Sequence, residues 1–158
     1  MVKFIALSLM VGAAASPRTM LIDTVKKLPG VHWQAGTVIV GNFTYNGRAD
    51  VAVLGLAGET VVVALATEVR PNVVRTSTIT VPGLCSPTKA TLRAGTPEYK
   101  PEPCPGDSDL CKQVRREAAA MKLATERRGQ VIWLDDPGCD GASMFWDGER
   151  LAFREYSP

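Results

Sequence analysis

The chain has 158 residues, 46% of them hydrophobic and 22% charged, with a formal net charge of +2. That length suits a single domain with a core of its own. So small a net charge gives no whole-molecule electrostatic reason to bind nucleic acid or a membrane surface.

Residues 1–15 read as a signal peptide. Lys3 precedes an apolar run from Phe4 to Ala15, and Ala13 and Ala15 occupy the small-residue positions before a cut at Ser16. The run is too short to span a bilayer comfortably, so no stable membrane insertion is expected after cleavage. The competing reading is a buried N-terminal helix. A periplasmic or secreted location follows from the export reading, and residues 16–158 form one disulfide-stabilised β-rich domain.

Residues 16–36 look like an irregular lead-in, interrupted by Pro17, Pro29 and Gly30. "TVIVGNF" begins an extended run, and "DVAVLGL" and "ETVVVALA" follow as β-branched strands around an Ala-Gly turn. "NVVRTSTITV" alternates apolar and polar residues between Pro71 and Pro82, as a half-exposed strand does. The segment from Pro82 to Pro105 is mostly loop, with a short strand near Ala90–Arg93.

One helix is expected at about residues 108–128. Asp107 or Ser108 caps it and Gly129 closes it, with Leu110, Val114, Ala118, Met121 and Thr125 on one face. "QVIWL", "ASMFW" and "RLAFREY" then form a three-stranded meander. The fold class is mainly β: an antiparallel meander or partial β-propeller-like fold with one α-helix.

Export makes the four cysteines legible. Cys85, Cys104, Cys111 and Cys139 are an even set, as two disulfides require. Their spacing contains no Cys-x-x-Cys pair, and His32 is the single histidine, which disfavours zinc. Of three possible pairings, Cys104–Cys111 with Cys85–Cys139 is preferred, because "CPGDSDLC" turns back on itself at Pro-Gly.

The stretch "GNFTYNGRADVAVLG" places oxygen-bearing side chains at alternating positions. Asn42, Thr44, Asn46 and Asp50, with Arg48 through its carbonyl, are candidate calcium ligands, and Gly47 stands at the sharp turn. Gly41, Phe43, Gly47, Asp50 and the strand Val51–Leu54 resemble the FG-GAP, or VCBS, repeat of propeller-like exported bacterial proteins. The resemblance implies a local β–loop–β unit and a possible calcium ion; no other cofactor is expected. Asn42 and Asn46 replace aspartates of that pattern, leaving a single carboxylate. The alternative is turn chemistry, in which these side chains hydrogen-bond the loop backbone.

No nucleophile with a base, phosphate loop or paired-histidine motif is present, so the chain is not expected to be an enzyme. "GCDGASMFWDGERLAFREY" is similar in layout to the closing hairpins of small exported proteins with such a repeat. Some of these are periplasmic immunity proteins that block cell-wall hydrolases. That resemblance implies a protein partner of the peptidoglycan hydrolase effector class, whose cleft would receive exposed loops. Glu98, Tyr99 and Lys100 in one loop, and Asp135, Asp136 and Asp140 in another, are the candidate partner-binding residues. A calcium-binding structural or adhesion module is the alternative, and a hydrolase using the aspartates is a second.

Overall fold

A computed structural model describes residues 17–98 and 104–155. In chain order the elements are α1 (Pro17–Lys26), β1 (His32–Trp33), β2 (Ile39–Gly41), β3 (Asp50–Ala57), β4 (Thr60–Arg70) and β5 (Val73–Val81). There follow β6 (Thr91–Gly95), α2 (Asp109–Glu126), β7 (Val131–Asp135), β8 (Ala142–Trp146) and β9 (Leu151–Glu155). The protein is mainly β, built from two antiparallel sheets. The first has the order β1-β3-β4-β5, with β2 also paired to β3, and the second has the order β6-β7-β8-β9.

The β-branched runs of β3 and β4 are buried on both faces because a layer covers each face. Ala52, Leu54, Val61, Val63 and Leu65 point to the second sheet and meet Ile132, Leu134 and Met144. Val51, Val53, Ala64 and Ala66 point the other way, onto Leu21 and Val25 of α1. Side-chain alternation along each strand makes this division. On the outer side of the second sheet, Ala120 and Met121 of α2 pack against Val131 and Phe145. The layers therefore run α1, first sheet, second sheet, α2. At one margin of the sandwich β2 approaches β6, and at the other β5 approaches β9.

The expected β3–β4 turn is present, with Gly58 at φ +64° between the paired Ala57 and Thr60. The C-terminal meander also forms as read. Both disulfides are the preferred ones, Cys85–Cys139 and Cys104–Cys111, with Cα separations of 5.8 and 5.2 Å. They suit an oxidising, exported environment. No helix among the described residues is long and apolar enough to cross a membrane. Residues 1–15 lie outside the described residues.

Three local expectations are corrected. Residues 17–26, read as part of an irregular lead-in, form α1. This helix is too short to be stable alone, and its i, i+4 pair Leu21 and Val25 is held by the first sheet. The buried stripe of α2 is rotated from the expected face: Cys111, Glu117, Ala120, Met121 and Ala124 are buried, while Leu110 is 68% exposed. Finally, Ser108 caps α2 by accepting from the Cys111 amide, but Gly129 is not its left-handed terminator. Arg128 takes that conformation at φ +50°. Gly129 is required for space, because a Cβ there would run into the ring of Tyr45.

Candidate functional site

The calcium-like loop joins β2 to β3 and is tied to the end of α2. Its side chains alternate between two jobs. Phe43 and Tyr45 are buried in the main core, and Asn42, Thr44 and Asn46 face the loop itself. Asn42 Oδ1 accepts from the Gly47 amide at 3.1 Å, and Asn46 Oδ1 accepts from the Arg48 amide at 2.7 Å. Gly47 sits at φ +80° and Tyr45 at φ +59°, which fold the chain back on itself. The Gln130 amide donates to Asn42 O at 3.0 Å, the Asn42 amide donates to Gln130 Oε1 at 3.3 Å, and Arg127 Nη1 donates to Tyr45 O at 3.2 Å.

Asp50 is fully buried at the start of β3. Its Oδ2 accepts from the Thr44 amide at 2.7 Å and the Thr44 hydroxyl at 2.9 Å, while Oδ1 has no donor. Burial raises the carboxyl above its ordinary range. The nearby Thr67 hydroxyl, the Thr44 amide and hydroxyl and the Phe43 amide act in the opposite direction, and burial outweighs them. Tyr45 is also pushed up, to about 12, by burial, and the Trp146 amide opposes this. Thus the expected metal ligands converge around one turn. Asn42, Asn46 and Asp50 each already accept hydrogen bonds from the loop.

The two loops expected to face a partner lie at opposite ends of β6. Asp135 is opposite Thr91 at one end, and Glu98 follows Gly95 at the other. Tyr99 and Lys100 lie outside the described residues; Glu98 is exposed. Asp135 is held by Arg93, Nε to Oδ2 at 2.9 Å, and Asp140 is exposed. Asp136 differs from its two neighbours. It is buried, with Oδ2 accepting from the Cys85 amide at 2.5 Å and Oδ1 from the Ser86 amide at 2.9 Å. Both of its oxygens are engaged in holding the Cys85–Ser86 backbone. Asp136 also lies beside Cys85 and Cys139 in a metal-like trio, but the disulfide takes both sulfurs.

A different element projects. The pairing of β3 with β4 ends at Val51 and Ala66, whereas β4 and β5 continue through Thr67–Arg75, Glu68–Val74 and Arg70–Val73. At about 3.3 Å per residue the strands run roughly 10 Å past the last pair of β3, but Thr67 is buried beside Asn46 of the calcium-like loop, so the exposed tip is residues 69–73. The tip is closed by Glu68 Oε1, which accepts from the Asn72 amide at 2.9 Å, with Asn72 at φ +62°. It exposes Val69 (45%) and Val73 (49%) on either side of Arg70. Arg48, which donates to Glu68 O at 3.2 Å, and Arg75, which lies over Trp146, add positive charge at the same end. The signal for this element was the polar continuation "TEVRPN", which extends the β4 pattern past the segment read as its strand.

No protein family, curated protein or solved structure matches this chain.

Proposed function

We propose that this is an exported, non-catalytic binding protein that blocks a carboxylate-dependent cell-wall hydrolase in the periplasm by inserting the β4–β5 tip into its cleft. The observation that carries this reading is the projecting hairpin itself, prearranged by the Glu68–Asn72 hydrogen bond and bearing an arginine between two exposed valines. A rigid insert loses little conformational freedom on binding, and arginine is a frequent anchor at interfaces. Glycan hydrolases present two carboxylates in a cleft, and a guanidinium matches a carboxylate with two parallel hydrogen bonds. The resemblance of the tail to immunity proteins supports the same partner class. The loop at Glu98–Lys100 and the aspartate turn give way to the hairpin in this reading.

The test measures clearing of purified peptidoglycan by muramidases and amidases taken from the same periplasm, with and without the protein. Arg70→Glu and Val69→Asp should each abolish inhibition while the melting temperature holds. Inhibition that survives both substitutions rejects the hairpin as the inhibitory element. Absence of any inhibition across the panel rejects the hydrolase reading.

A second reading, a calcium-supported structural module, is favoured by one observation: the donorless, buried Oδ1 of Asp50 beside the asparagine turn. Calcium titration decides it. Micromolar binding lost in Asp50→Ala supports the module, and no heat of binding rejects it.

A further inference from the structure

A groove lies beside the margin where β5 meets β9, bordered by the first half of α2. The face of α2 that seals onto the second sheet at Ala120 and Ala124 carries Gln113 and Arg116 one to two turns earlier. Gln113 and Arg116 are exposed, while Cys111 and Glu117 on either side of them are buried, so the first half of the helix borders the groove through its two exposed side chains. The groove has a volume of about 600 Å³, within the usual range for ligand sites. Its floor is apolar, from Ile79, Phe145, Leu151 and Ala152. Its rim carries Lys112, Arg116 and Arg150 together with Asp109 and Asp147; Lys112 pairs with Asp109 and Arg150 with Asp147, which leaves Arg116 as the rim's unpaired charge among the described residues.

The acids at the rim are occupied. Asp109 Oδ1 holds Lys112 Nζ at 3.1 Å, and Asp147 Oδ1 accepts from the Glu149 and Arg150 amides, each at 2.9 Å. Arg116 makes no ion pair among the described residues. One wall is β5, an edge strand that among the described residues pairs in its sheet with β4 alone. Across the margin, Arg75 Nη2 donates to Glu149 O at 2.6 Å, and the Leu151 amide donates to Ser77 Oγ at 3.0 Å. Both contacts use side chains of β5, and among the described residues no backbone hydrogen bond reaches Thr78 or Ile79 from outside its sheet. An edge backbone facing an apolar floor is the setting in which an extended peptide adds to a sheet.

We propose that this groove binds a short, extended peptide carrying a free carboxylate, with the carboxylate on Arg116 and the apolar side chains on Phe145 and Ile79. The site is separate from the hairpin and does not depend on the hydrolase reading.

The experiment is a chemical-shift titration of the oxidised mature chain with three probes: the blocked tripeptide Val-Glu-Val, its glutamine counterpart and hexanoate. The glutamyl peptide should bind about tenfold more tightly than the glutaminyl one, as a charge-assisted contact requires, with shifts at Thr78, Gln113 and Ala152. Arg116→Ala should remove that preference. Arg128→Ala, which deletes the same charge on an exposed residue just beyond the helix, should leave it unchanged. Both arginines are exposed, so both variants keep the fold. Equal binding of the two peptides, hexanoate binding as tightly as the peptide, equal loss in the two variants or no shifts at all would each overturn the assignment. Val69→Asp should bind the peptide as the wild type does, which keeps failure here distinct from failure of the hairpin reading.

Discussion

The backbone amide of Trp146 donates a hydrogen bond to the phenol of Tyr45 at 3.3 Å, across 101 residues of chain, and joins the calcium-like loop to the second sheet. Tyr45→Phe should leave that buried amide without a partner and cost about 1–2 kcal/mol, read as a lower melting temperature. The phenol also sets an alkaline limit. Its folded value, about 12, exceeds its ordinary 10.0, so the folded state holds the proton longer. Stability should fall as pH rises from about 10 and the loss should be complete near 12. The phenylalanine variant should lack this part of the alkaline slope.

Asp50 works in the same direction at acid pH. Its folded value lies above the ordinary 3.8, so its contribution to stability is fully present below that pH. It is lost as pH rises through the folded value. Asp50→Asn should remove this slope from the curve of melting temperature against pH. An unchanged slope in the variant would show that another group carries it.

Asp136 should behave as a structural acid. Asp136→Ala removes the acceptor of the Cys85 and Ser86 amides and should cost about 2–4 kcal/mol in denaturant unfolding. Asp140→Ala, at an exposed position of the same turn, should change stability by less than about 0.5 kcal/mol.

The two disulfides should contribute unequally. Cys85–Cys139 closes a separation of 54 residues and Cys104–Cys111 one of 7. Loop-closure entropy then assigns about 4 kcal/mol to the first and about 2.5 kcal/mol to the second. Paired serine substitutions, compared by chemical denaturation, should reproduce that order.

Much of the fold was legible because its signals are local. The β-branched runs of β3 and β4, the Gly58 turn and the Ser108 cap each specify their own conformation. The Pro-Gly turn between Cys104 and Cys111 did the same for the disulfide pairing. What sequence could not supply came from contacts between distant segments. Leu21 and Val25 form a helix because a sheet lies beneath them, and the burial of Asp136 depends on the amides of Cys85 and Ser86. The candidate sites were hardest to read for the same reason. Turn residues such as Asp135 and Asp140 attract attention in a sequence, whereas the reach of the β4–β5 tip depends on where the neighbouring strand β3 stops. The groove was half-written in the sequence, in the change from Gln113 and Arg116 to Ala120 and Ala124 along one helical stripe.

The eleven-residue β4 strand is, mechanically, a cantilever. Its root, Val61 to Ala66, is clamped between α1 and the second sheet, and its free end carries Val69 and Arg70. A load at the tip is therefore borne by a strand whose root is buried on both faces. A partner seated there should slow amide exchange along β4 well into the core, so the effect of binding should register far from the surface that binds.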